Sequence, residues 1–386
     1  MFDVVIVGGG VVGCATALSC AQAGMRTVLL ERGAIAGETS STGMGHLMLQ
    51  PEPLPLAQLT LASLRLWKHL HRELGTFALN ECGMLWLAET RDELAVRDRI
   101  GRGLSALGVA NESLAVDELV HLEPALARDI EGGLHCALDA VVVPMQATAA
   151  LAAAARAHGA DVRHGTPVVG IERDGGGCIV GVRTPVRVIP ASAVVIAAGV
   201  WTPEVAALAG CEGVSIVPRR GDLAITAPGT CPIRMQLLEV RYLAAALAGD
   251  AGVSDPGTQA LNVQPQARGT CLIGATRQLT GFDRRVDKEL LARSLTRAVR
   301  FVPGLADVPL VRTWAGLRPM TKDRLPLVGP VLDQPGLWLA SGHEGLGLTL
   351  APITGDIVAR SLRGAALAAH EKLLAPERLI GRALRP

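Results

Sequence analysis

Residues 2–7 form a short β-branched, apolar run that ends at three consecutive glycines, the pattern of a buried parallel strand. From Gly13 to Ala23 small residues dominate (Cys14, Ala15, Ala17, Ser19, Ala21), which predicts a helix able to pack closely on a sheet. Gly24 stops it. A second apolar strand over 26–30 runs into Glu31. Farther along, Leu59, Leu66, Leu70 and Leu74 sit at helical spacing and predict an amphipathic helix over 59–74, with His69 and His71 toward solvent. A strand is expected over 83–88, a charged surface helix over 91–107, an alanine-rich helix over 144–158 and a strand over 161–169. The run 192–201 reads as a third buried strand entering a glycine turn, and 336–347 repeats that pattern before a helix opens near Thr349. Between 214 and 312 the pattern changes to short strands with one helix near 287–301, so the chain leaves its first domain and later re-enters it.

The N-terminal order of strand, glycines, helix, strand and acid carries the first chemistry. In Gly8-x-Gly10-x-x-Gly13 the first glycine makes the tight turn, the second lets backbone approach a diphosphate, and the third lets helix and strand touch. The helix N-terminus then faces the diphosphate, and Glu31 can accept from both hydroxyls of a ribose. Dinucleotide binding follows, without a choice between FAD and NAD.

Composition narrows the partners. With 37 basic and 36 acidic residues the net charge is +1, which offers no field for nucleic acid or an anionic membrane. Eight scattered cysteines with no C-x-x-C spacing predict neither a disulfide framework nor a metal site, and fit a cytoplasmic protein. The uncharged run 4–25 is broken by Gly8, Gly9, Gly10, Gly13, Ser19 and Gln22, which argues against a transmembrane segment. No G-x-S-x-G elbow supports a hydrolase, and no second G-x-G-x-x-G unit supports a pyridine-nucleotide reductase.

Taken with Ser40-Ser41-Thr42-Gly43-Met44-Gly45, the strand-to-turn run 194–201, Trp314-Ala315-Gly316-Leu317-Arg318-Pro319 and Gly342-His343-Glu344-Gly345-Leu346-Gly347, the chain resembles FAD-dependent amine oxidoreductases of the D-amino-acid oxidase, glycine oxidase and sarcosine oxidase type. Gly43 to His46, Leu238-Glu239-Val240-Arg241-Tyr242 and Gly342 to Gly345 look most like the catalytic beta subunits of heteromeric dye-linked dehydrogenases: D-hydroxyproline dehydrogenase, hydrogen cyanide synthase and opine oxidase.

The resemblance implies an α/β plus α+β fold: a Rossmann-like FAD-binding domain from 1–50, 140–213 and 313–386, and a discontinuous antiparallel-sheet substrate domain from 51–139 and 214–312. It implies FAD held by Gly8, Gly10, Val11, Val12, Gly13, Glu31 and Arg32; by Ser40, Ser41, Thr42, Gly43, Met44, Gly45 and His46; and by Pro167 and Val168 near adenine. Ala197, Ala198, Gly199, Trp201, Gly316, Arg318, Gly342, His343, Glu344, Leu348 and Thr349 complete the set. Gly345, Leu346 and Gly347 would offer backbone N–H groups to the pyrimidine end of the flavin.

Arg318 would bind a substrate carboxylate through its planar fork. Tyr242, the only tyrosine, His46, His343 and Glu344 are the other catalytic candidates. The reaction implied is hydride transfer from Cα of a small amino acid to flavin, giving an imino acid. Electrons would pass to a partner subunit carrying FAD, FMN or an iron–sulfur centre. A stand-alone oxidase producing hydrogen peroxide and a non-catalytic flavin subunit are the alternatives.

Overall fold

The computed structural model describes residues 1–242 and 260–380. Its first sheet is built on four parallel strands, in the order Leu337–Ser341, Val188–Ile196, Phe2–Val7 and Thr27–Leu30, with Asp161–Arg163 parallel beyond the last. These strands are apolar on both faces because long helices cover one face and the hairpin of Gly170–Arg173 and Ile179–Arg183, with the short helix Thr202–Ala207, covers the other, so continuous rather than alternating hydrophobicity is what they need. The helix Val11–Gln22 is buried on most of its circumference, packed against Pro144–Ala157 and Gly347–Leu362. Its small residues permit this: a Cβ at Gly355 would lie 2.6 Å from the Ala15 carbonyl oxygen. The carboxyl ends of the three central strands deliver Gly8, Ala197 and Gly342 to one edge, where ligands of open α/β sheets bind.

The second sheet has eight strands in the order Leu310–Met320, Val217–Thr226, Thr270–Gly274, Asn262–Gln266, Gln236–Glu239, Met84–Ala88, Gly132–Cys136 and Glu112–Leu114. All neighbours are antiparallel except Gln236–Glu239 beside Met84–Ala88. The expected boundary at 313 falls inside Leu310–Met320, which pairs along its length with Val217–Thr226; the chain returns to the first sheet only at Leu327–Pro330. The helix Leu54–Leu74, expected in the substrate half, packs against Gly347–Leu362 beside the first sheet, tied by the Trp67 indole N–H to the Leu348 carbonyl at 2.9 Å. Positions 243–259 of the expected substrate segment and 381–386 of the last block lie outside the described residues.

Local expectations mostly differ by their ends. The strand expected over 161–169 stops at Arg163 because Gly165 takes φ 61°, turning the chain toward Pro167. The charged helix Arg91–Ala106 begins at a capping box of Thr90 and Glu93. His69 is exposed and pairs with Glu73, but His71 is half-buried with its ring edge-on to Phe77 at 5.3 Å.

Candidate functional site

A cavity of about 650 Å³ runs from the carboxyl edge of the first sheet to the near face of the second. At one end the cradle is made of absent side chains. Gly8 has φ 118°, and a Cβ there would lie 2.5 Å from the Ala197 carbonyl oxygen. A Cβ on Gly13 would overlap the Gly8 carbonyl oxygen itself. Only glycine fits either place, and the result is a bare backbone shelf at a helix N-terminus. The Ser40 hydroxyl accepts from the Val11 N–H at 2.9 Å, joining the 40–45 turn to that helix. Both Glu31 carboxylate oxygens accept from backbone N–H groups, of Gly9 and Gly33, each at 2.7 Å. The carboxylate is thereby aimed along the shelf, with lone pairs left for ribose hydroxyls.

Val11, Val12, Arg32, Pro167 and Val168 line this end with Ala197, Ala198 and Gly199. Trp201 closes it, with the Arg32 guanidinium 4.2 Å from its ring centroid and Phe282 of the second half 5.9 Å away. Thr42, Gly43, Met44 and Gly45 form the middle of the wall. They are held to the second sheet by the Trp314 indole donating to the Thr42 carbonyl at 3.2 Å, and by Gln266 donating to the Met44 carbonyl at 2.9 Å. Gly316 faces Thr42 so closely that a Cβ would reach 2.5 Å from its hydroxyl.

Five expected cofactor residues stand behind the wall rather than on it. Gly13 is the helix–strand contact already described, and Ser41 donates to the Glu38 carbonyl at 2.7 Å. Gly342 makes a left-handed turn with its α-carbon against Thr321. The Leu346 N–H is committed to the His343 carbonyl at 3.0 Å. Thr349 is buried, its hydroxyl tied to the Met48 N–H and the His46 carbonyl. The expected row of N–H groups over 345–347 is therefore shortened, since the Gly345 N–H also has a partner, the Glu344 carboxylate at 2.5 Å.

The far end of the cavity is built from side chains. Arg318, half-buried on Leu310–Met320, lies over Gly221 of the neighbouring strand, where any Cβ would strike its guanidinium, and its Nη1 donates to the Thr276 carbonyl at 3.1 Å. Arg219 stands directly across the register from Arg318, and its side chain, 5% exposed, pairs with Glu344 at 3.0 Å. Tyr242 follows the strand Gln236–Glu239, whose end is pinned by Arg241 on Glu93 at 2.5 Å and on Glu239 at 3.1 Å. The Arg277 guanidinium caps the Tyr242 ring at 4.0 Å from its centroid.

Charge dominates here. Burial pushes the Glu344 carboxyl up, yet Arg219, Arg318 and Arg277 outweigh it and hold the group below the usual carboxylate value. Burial likewise pushes the Tyr242 phenol up, and Arg277, Arg318 and Arg219 bring it below its ordinary value against the opposing charge of Glu344. Arg219 is pushed down to about 10, chiefly by burial, and stays charged at neutral pH. Glu344 itself has φ 50°, a conformation a non-glycine side chain keeps only when its surroundings fix it.

The two histidines are placed but spoken for. The Gln236 amide donates to the Gly83 and Ala140 carbonyls, so its oxygen accepts from His46 Nδ1 at 2.5 Å, while Nε2 lies 2.7 Å from the Asn262 carboxamide. Burial holds His46 below its ordinary pKa against these hydrogen bonds. His343 is 3% exposed, its Nε2 bonds the Thr354 hydroxyl at 2.9 Å, and burial pushes it down to about 3. Both nitrogens of His46 are engaged, and His343, with Nε2 on Thr354, is held neutral through the physiological range. Arg219 and Arg277 were missed. A double basic Arg219-Arg220 opening an otherwise apolar strand was the available signal for the first, and Arg277 offered none.

Four likenesses bear on this arrangement. Residues 3–361 match the family described as DAO, FAD dependent oxidoreductase. Over 368 residues the chain is 32% identical to glycine oxidase of Geobacillus kaustophilus, covering 93% of this chain and 92% of that one. It is 29% identical over 402 residues to hydrogen cyanide synthase subunit HcnC of Pseudomonas aeruginosa, covering 93% and 92%. The crystal structure of Geobacillus kaustophilus glycine oxidase superposes with a TM-score of 0.85 at 30% identity, covering 98% of this chain and 99% of that one.

Proposed function

The chain belongs to the FAD dependent oxidoreductase family, and from that premise we propose that it oxidises the C–N bond of a small amino acid to an imino acid. FAD supplies the hydride acceptor when bound. The glycine shelf at Gly8 and Gly10 and the acceptor at Glu31 fit its dinucleotide half, as a cradle that a Cβ would fill. The observation that carries the substrate reading is Arg318, laid over Gly221 at the cavity wall beside Tyr242 and Glu344. Its fork grips a carboxylate through two parallel hydrogen bonds and so fixes where Cα stands. Tyr242 covers the pocket, and the site works by excluding water and holding the reacting carbon in place, with the amine entering neutral. No histidine base is needed, which agrees with the engagement of both His46 nitrogens.

For the acceptor we favour a partner subunit's redox centre. The likeness to a subunit named in a cyanide synthase supports this. The 32% identity to a glycine oxidase favours the second reading, in which oxygen is reduced to peroxide. A cytoplasmic site is proposed on the eight cysteines, all of them free thiols.

Anaerobic mixing of the holoprotein with glycine, sarcosine, D-alanine and D-hydroxyproline tests the reaction: bleaching of the visible flavin band supports it. A panel of carboxylate-bearing amines that leaves the band untouched overturns it in favour of a non-catalytic flavin subunit. Dye reduction without peroxide supports the partner-subunit acceptor, and stoichiometric peroxide from the isolated chain overturns it.

A further inference from the structure

One buried amide on the cavity wall takes no part in gripping a carboxylate. Asn262 is 4% exposed at the start of the strand Asn262–Gln266, and it lines the cavity together with His46, Leu223 and Arg318. Its polarity follows from a chain of hydrogen bonds. The Gln236 amide nitrogen donates to the Gly83 and Ala140 carbonyls, so the Gln236 oxygen is the atom that faces His46, and the ring carries its proton on Nδ1. Nε2 of a neutral ring is then a lone pair. With the Asn262 oxygen against it at 2.7 Å, two acceptors would face each other. A half-turn of the carboxamide keeps the shape and puts its NH2 group on Nε2, which leaves the oxygen for the cavity. An imidazolium would suit the other orientation, but both ring partners are neutral amides and burial disfavours the charge. Among the described residues, the other end of the Asn262 amide makes no hydrogen bond.

The sheet register sets what that oxygen meets. Leu223 pairs with Gly274, and the ladder that pairs Val263 with Ile273 brings Asn262 beside Gly274 on its other side. Gly221, two residues from Leu223, shares its face, and the Arg318 guanidinium lies over Gly221. One face of the sheet therefore carries the carboxylate fork and, across Leu223 and Gly274, the amide. Resting on the reading of an amino-acid oxidoreductase given above, we infer that Asn262 accepts a hydrogen bond from the substrate's amine through Oδ1, with His46 and Gln236 as positioning residues that fix which end of the amide meets it. An amide oxygen accepts an N–H without adding a charge that would hold the amine protonated, so it suits an amine that enters neutral. The substrate class is thereby narrowed to primary and secondary amines. A neutral tertiary amine has no N–H and leaves the oxygen buried without a donor.

The test compares, by anaerobic flavin reduction, the fastest of glycine, sarcosine, D-alanine and D-hydroxyproline with its N-methylated tertiary form. The parent is expected to use the amine that keeps an N–H at least about tenfold more efficiently. Asn262→Leu is expected to cut efficiency on that amine about fivefold to tenfold and to leave the tertiary form within about twofold. Acetate, which has the carboxylate and no nitrogen, should bind the variant as it binds the parent. Imidazole 15N signals of the holoprotein, with His46 identified by its absence from His46→Gln, are expected to show a neutral ring protonated at Nδ1 at neutral pH. A proton on Nε2, or an imidazolium, overturns the inference whether or not Asn262→Leu folds. Unchanged discrimination in Asn262→Leu overturns it as well, and if that variant also shows weaker FAD retention, the oxygen serves the cofactor instead. Each of these results leaves the proposed function standing. If no amine bleaches the flavin, the proposed function fails, and this inference fails with it.

Discussion

The two ends of the cavity are built from opposite materials. The dinucleotide end is made of backbone and of missing side chains: Gly8 and Gly13 bring main chain to main chain, and Glu31 is fixed by two N–H groups of its own turn. The substrate end is made of long charged side chains crossing between strands, with Arg318 over Gly221, Arg219 on Glu344 and Arg277 on Tyr242. A backbone site has no spare volume, so a substitution there acts through geometry and through the fold. A side-chain site can lose a group and keep its shape, so a substitution there acts on recognition alone.

The sharpest break comes from Gly13→Val, which drives a side chain into the Gly8 carbonyl. About 3 kcal/mol or more of stability and most of the bound flavin are expected to go, read from thermal unfolding and visible absorbance. Gly24→Ala is its control: Gly24 has φ 79° but open space around its Cβ, so about 1 kcal/mol is lost and flavin is kept. Equal flavin loss in both variants would remove the steric argument.

At the other end, Arg318→Met should lower kcat/KM by about a hundredfold while the protein still unfolds near the parent temperature. A drop in melting temperature comparable to that of Gly13→Val would make Arg318 structural instead.

A pH effect separates both ends from the packing between them. Asp139 is 1% exposed, one oxygen accepts from the Leu49 N–H at 2.6 Å, and the carboxyl's other neighbour is the weakly donating Cys136 thiol. Burial pushes its carboxyl up to about 7, well above 3.8. A carboxyl raised on folding stabilises while protonated, so its contribution is full below about pH 4 and is lost as pH rises through about 7. Asp139→Asn should therefore hold more of its stability between pH 5.5 and 8.5 than the parent does, by about 1–3 kcal/mol in urea unfolding. Parallel pH profiles for the two proteins would refute this. The smallest expected change is His69→Ala, an exposed pair with Glu73, at under about 0.5 kcal/mol.

How much was legible follows the same division. The fingerprint and the long helices can be read from residues close in sequence, because periodicity and turn chemistry are local; Arg318 was marked only by the resemblance of its Gly-Leu-Arg-Pro segment to a family, and its strand by the structure. His46 looked like a reactive group by type, and only Gln236 and Asn262, far along the chain, show its ring to be held at both nitrogens. His343 looked the same until burial against Thr354 removed its titration from the neutral range.

By itself, the sequence determined where a dinucleotide would lie, since a turn that only glycine can make is written in consecutive residues. Resemblance over Gly316-Leu317-Arg318-Pro319 marked Arg318 as the candidate for a substrate carboxylate. Only the tertiary structure decided the company that arginine keeps. The antiparallel register sets Arg219 opposite Arg318, and the loop after Thr270–Gly274 carries Arg277 onto Tyr242. Electrostatic energy depends on distance through space, and nothing in the order of residues along the chain records that distance.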